Sequence, residues 1–70
     1  MFRPDLISDA MAKCHQKLLK LDMFTLVEGY QEIQLALGFD ESTARYFFSL
    51  MRLNGYIRQH DTKEKFYAAR

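Results

Sequence analysis

Seventy residues allow one small domain spanning the chain, 1–70, and no more. Nearly half are apolar, and six Phe with four Tyr supply large side chains to a core that so short a chain otherwise fills only marginally. One cysteine excludes an internal disulfide framework. A net charge of +1 hides an uneven spread: residues 1–40 hold four basic and six acidic side chains (−2), and residues 41–70 hold six basic and three acidic (+3). Any meeting with nucleic acid is therefore expected to use the second half.

No apolar run approaches the roughly 20 residues that span a bilayer. The opening "MFRPDLISDAMAK" has no long apolar stretch with a small-residue cleavage site. A cytoplasmic protein without a membrane partner is the expectation.

In chain order, Pro4 and Asp5 suit a first helical turn, where a missing N–H costs nothing and a carboxylate favours the positive end of the helix. Ile7, Ala10, Met11, Cys14, Leu18 and Leu21 then recur at spacings of three and four, with Lys13, Lys17 and Lys20 away from the stripe. A first helix over about 5–21 follows, with Cys14 as a small core residue rather than a reactive thiol. "MFTL" (23–26) is too apolar for a free loop and reads as a brief extended segment, with Thr25 as the cap of the next helix.

The second helix, about 26–37, turns Val27, Tyr30, Ile33, Leu37 and Ala36 inward and Glu28, Gln31, Glu32 and Gln34 outward. Gly29 is a mild weak point in it, tolerated at roughly 1 kcal/mol relative to Ala. Gly38 suits the left-handed position that closes a helix, after which Phe39 can enter the core. Asp40 or Ser42 starts a third helix over about 41–54. Its wheel puts Ala44, Phe47, Phe48 and Met51 on one side and Ser42, Tyr46, Ser49 and Leu53 on the other. Arg45 and Arg52 run along one flank and Leu50 along the other. "NG" at 54–55 stops it. "YIRQH" and "EKFYA" then read as two short strands joined by the polar turn "DTK", a hairpin over about 56–69. The fold class is mainly α with a small β-hairpin: a three-helix winged helix-turn-helix.

Within "LGFDESTARYFFSLMRLNGYIRQHDTKEKFYA" the features Leu37-Gly38, Ser42-Thr43-Ala44, Phe47-Phe48, Met51, Gly55-Tyr56-Ile57 and Tyr67 stand in order. This half of the chain resembles the DNA-binding module of bacterial winged-helix repressors of the isocitrate-lyase-regulator (IclR) type. The large ligand-sensing domain of such repressors has no counterpart in these seventy residues, so inducer binding is not expected to carry over. The resemblance implies a third helix laid in the major groove of double-stranded DNA. Ser42, Thr43, Arg45, Tyr46, Ser49 and Arg52 would then face the duplex, with Arg58, Lys63 and Lys65 of the wing on phosphates.

An Arg fork pairs with guanine, and lysines on a hairpin add sequence-independent attraction. Against this, Tyr46, Leu50 and Leu53 are unusual in a groove-facing row and form a candidate protein-binding patch. The leading reading is a small DNA-binding protein, a transcriptional regulator or a phage- or plasmid-type accessory factor, acting as a homodimer. Its dimer seam is expected at the first helix with "DMFTL". The alternative is a winged helix used as a protein-binding inhibitor or adaptor through the outer face of the third helix.

Other chemistry is thin. His15 and His60 have no second His or Cys at ligand spacing, so no metal is expected. Asp40 with Glu41 reads as a helix-start pair rather than an acid–base couple. No glycine-rich phosphate loop or nucleophile triad is present, so neither a cofactor nor an enzymatic activity is expected. Met11, Met23 and Met51 read as core filler.

Overall fold

The computed structural model describes residues 4–61 and 64–69. Three helices, α1 (Pro4–Leu18), α2 (Leu26–Leu37) and α3 (Glu41–Leu53), precede two strands, β1 (Ile57–Gln59) and β2 (Phe66–Ala68). Helix α2 packs between α1 and α3, while the hairpin leans on α3 through β1 and on α1 through β2. The architecture is the winged helix-turn-helix that the pattern of elements predicts.

Helix α1 buries Met11, Cys14 and Leu18, with Ile7, Ala10 and Leu21 packed partly against them. It ends three residues before the expected boundary. After Leu18 the backbone tightens, Lys20 N–H donating to Lys17 O at 3.3 Å and Leu21 N–H to Leu18 O at 3.0 Å. Such three-residue bonds close a helix into a tight last turn, which carries Leu21 back onto the core.

The "MFTL" segment is extended, as expected, and Phe24 is fully buried. Its N–H donates to Phe66 O at 2.9 Å, and Phe66 N–H donates back to Phe24 O at 2.8 Å. Phe24 thus adds a single bridge on the free side of β2. The hairpin is antiparallel, with Ile57 opposite Ala68, Arg58 opposite Tyr67 and Gln59 opposite Phe66. The dimer seam expected at this segment cannot use Phe24, which is committed to the chain's own core.

Thr25 caps α2 in a reciprocal box. Its hydroxyl accepts from Glu28 N–H at 3.2 Å, and Glu28 Oε1 accepts from Thr25 N–H at 2.9 Å. Gly38 closes the helix at φ 70°, where only glycine sits without strain, and its N–H donates to Gln34 O at 2.8 Å.

Two expectations for α2 fail. The buried stripe centres on Gly29 and Ile33. Val27, expected inward, lies about 200° around the wheel from Gly29 and is 61% exposed. Glu32 and Gln34, expected outward, are half-buried. Gly29 is no weak point either: a Cβ there would lie 2.4 Å from Phe48 Cε2 and 3.3 Å from Phe24 Cδ2. The missing side chain is what lets α2 approach the Phe48 ring.

Phe48 is the hub of the core. Its ring meets Tyr30 and Phe66 edge-on at 5.3 Å each and Phe24 at 6.3 Å, pairs worth about 0.5–1.5 kcal/mol each beyond area burial. Phe39 follows Gly38 inward and meets Phe47 at 5.5 Å.

Candidate nucleic-acid interface

Helix α3 begins at Asp40, whose Oδ1 accepts from Thr43 N–H at 2.8 Å. Hydrogen bonding from Thr43 holds the Asp40 carboxyl below its ordinary 3.8. The helix ends where Asn54 Nδ2 donates to Leu50 O at 2.8 Å and Gly55 takes φ 82°. Between these stops, Ala44, Phe47, Phe48 and Met51 are buried, which turns the opposite side to solvent. The reversal at Gly55 then brings β1 alongside the second half of α3.

The result is an open cleft of about 680 Å³ lined by Ser49, Arg52 and Leu53 of α3 and by Gly55, Ile57, Arg58 and Gln59. Arg52 and Arg58 are both among its lining residues, and no carboxylate residue is. Two other described clefts differ in this respect. One, between the α1–α2 connection and the hairpin, includes Asp22; the other, between the start of α2 and the hairpin, includes Glu64.

Arg52 is exposed but anchored, its guanidinium carbon 5.1 Å from the centre of the Phe66 ring. Arg45, two turns earlier on the helix, stands 5.9 Å over Tyr30. Contacts of this kind orient a cation at about 0.5–1 kcal/mol while leaving its N–H donors free for a partner.

Of the expected DNA-facing residues, the cleft gathers Ser49, Arg52 and Arg58. Ser42, Arg45 and Tyr46 are exposed on the first half of α3 and continue the same side, whereas Thr43, nine positions before Arg52, is exposed on the opposite flank. Ser49 Oγ donates to Arg45 O at 3.3 Å. Lys65 is exposed but not in the cleft; it lies near enough to Glu28 to help hold that carboxylate ionised. Lys63 lies outside the described residues.

The candidate protein-binding row divides. Tyr46 is 67% and Leu53 83% exposed, whereas Leu50 is half-buried and packs on the core. Leu50 is therefore not available as part of a surface patch, because it leans toward the inner side of the helix.

Gln59 escapes the sequence reading. Strand alternation puts it with Ile57 on the inner side, and only the meeting of β1 with α3 brings it to the cleft. His15 likewise has no role that its sequence neighbours signal. It hydrogen-bonds through Nε2 to Ala69 O and meets the Tyr56 ring at 5.2 Å with the planes tilted by 60°, tying α1 to the end of β2.

Cys14 is buried, and that burial pushes its thiol up to about 11, so little of it is thiolate near neutrality. Among the described residues no group of three His, Cys, Asp or Glu is placed to hold a metal ion. No described helix is long and apolar enough to cross a membrane.

Comparison with protein-family models, with curated proteins and with solved structures finds no match, so the reading of the cleft rests on its own geometry and chemistry.

Proposed function

We propose that this chain is a small winged-helix protein that binds double-stranded DNA with α3 and its wing. In this reading it acts as a dimer in transcription regulation or as a phage- or plasmid-type accessory factor. The observation that carries the proposal is the α3–β1 cleft, where Arg52 and Arg58 flank Ser49 and Gln59 with no carboxylate among the lining residues. A major groove admits one helix, guanidinium forks pair with guanine edges or phosphates, and short hydroxyl and amide groups reach either. The resemblance of residues 37–68 to repressor modules points the same way.

Mobility-shift titration against a random-sequence duplex at low salt tests it. Arg52→Ala and Arg58→Ala should each weaken binding. For every phosphate that the removed guanidinium had neutralised, the log–log salt slope should shrink by about 0.9. Variants indistinguishable from wild type would count against the reading.

The exposure of Tyr46 and Leu53 favours a second reading, a winged-helix adaptor or inhibitor that binds protein through the outer side of α3. No retention on heparin or random duplex at low salt would favour it over DNA.

A further inference from the structure

The two arginines of α3 are arranged around one core ring. Arg45 precedes Phe48 by three residues and Arg52 follows it by four, so each stands about one turn away and within about 60° of it on the helix wheel. Phe48 is buried, and the rings of Tyr30 from α2 and Phe66 from β2 both meet it edge-on at 5.3 Å. Those same two rings carry the cations, Arg45 standing 5.9 Å over Tyr30 and Arg52 5.1 Å over Phe66. One buried ring thus sets two aromatic platforms, and each platform holds one guanidinium.

The platforms differ in what else they do. Phe66 is 5% exposed and belongs to the core, whereas Tyr30 is half-buried and is not among the residues that line the cleft. Gly29 comes immediately before Tyr30, and a Cβ there would lie 2.4 Å from Phe48 Cε2. The close approach of α2 that this glycine allows brings the next residue beneath Arg45.

A ring under a guanidinium restrains it without occupying its N–H donors. A free arginine loses its rotamer freedom when it meets a partner, at roughly a two- to tenfold loss of affinity for each side chain ordered. A cation held over a ring has given up part of that freedom on folding. Resting on the DNA-binding reading, we infer that Tyr30 is a positioning residue for it: from α2, outside the cleft, its ring holds Arg45 ready for the duplex as Phe66 holds Arg52. The binding site then extends beyond α3 and the wing to a residue that need not touch DNA.

The test is a double-mutant cycle on the full chain, read by anisotropy titration of a random-sequence duplex at one low salt concentration. Tyr30→Leu removes the ring, keeps an apolar side chain against Phe48, and should weaken binding about two- to fivefold. In the Arg45→Ala background the same change should cost nothing further. Tyr30→Phe keeps the ring and should bind as wild type does. Circular dichroism melts set the titration temperature below every transition. Tyr30→Met, whose flexible chain fills irregular gaps, supplies the same cycle if Tyr30→Leu does not melt cooperatively.

Equal losses with Arg45 present and absent would overturn the inference and leave Tyr30 a packing residue only. Tyr30→Leu binding as tightly as wild type, or more tightly, would overturn it too. So would Tyr30→Phe losing as much as Tyr30→Leu, which would assign the effect to the hydroxyl. Arg45→Ala indistinguishable from wild type, with the duplex still bound, would overturn the inference and leave the DNA reading to Arg52 and Arg58. If the wild type binds no duplex at low salt, the inference and the DNA reading fall together.

Discussion

The two sides of α3 are built from the same kinds of residue under opposite constraints. Inward, Ala44, Phe47, Phe48 and Met51 are at most 5% exposed; outward, Tyr46 and Leu53 are among the most exposed large side chains described. The inner side is specified by this chain's own atoms: three aromatic rings set around Phe48 and a glycine where α2 comes closest. The outer side leaves Tyr46 and Leu53 without such packing, and on the proposed reading it is the side that meets DNA. On that reading stability and recognition fall on different residues of one short helix, and they should respond to different substitutions.

The largest separation should come from Phe48→Ala. Truncating a buried Phe costs about 3–5 kcal/mol, comparable with the whole stability of a small domain, so the far-UV circular dichroism melt should lose its cooperative transition. Next is Gly29→Ala. In an ordinary helix this change gains about 1 kcal/mol, but here the added methyl meets a ring packed on every side. Overpacking of about 1–3 kcal/mol should win and lower Tm. A Tm at or above wild type would show that the α2–α3 approach is looser than the rings imply.

Smaller again is the cap. Thr25→Ala should cost about 1 kcal/mol. Hydrogen bonds to Thr25 and Thr43 hold the Glu28 and Asp40 carboxyls below their ordinary 4.5 and 3.8. Groups depressed on folding contribute stability that is complete above those ordinary values and fades as pH falls through the lower, folded ones. Tm should therefore drop on acidification below about pH 4.5, and slightly less so in Thr25→Ala, which removes the hydroxyl but keeps the backbone N–H that donates to Glu28. The smallest effect belongs to the outer side: Leu53→Ser should shift stability by less than about 0.5 kcal/mol. A larger loss would mean that this side is also core, and the contrast would fail.

Much of the fold is legible in the sequence. Thr25, Gly38, Asp40 and the Asn54-Gly55 pair are local signals, each acting within a turn of itself, and they place α2, α3 and the hairpin within a residue or two. The inner side of α3 is legible because four large or small apolar residues share one phase. The phase of α2 is legible in part: Tyr30, Ile33, Ala36 and Leu37 meet the core as their spacing suggests, but Gly29 rather than Val27 is the point of closest approach, because Phe48 lies there. Long-range pairings leave no trace in the pattern. Phe24 with Phe66, His15 with Ala69 and the arrival of Gln59 beside Leu53 all join residues whose neighbours in sequence say nothing of each other.

The Phe24 bridge sets a further condition. Because residue 24 holds the far edge of β2, the wing is joined to the trunk along two lines rather than one. Closing that bridge joins parts of the chain far apart in sequence, at a cost in loop-closure entropy. Loosening Phe24 from Phe66 would free β2 and, through its ladder to β1, the strand that walls the cleft.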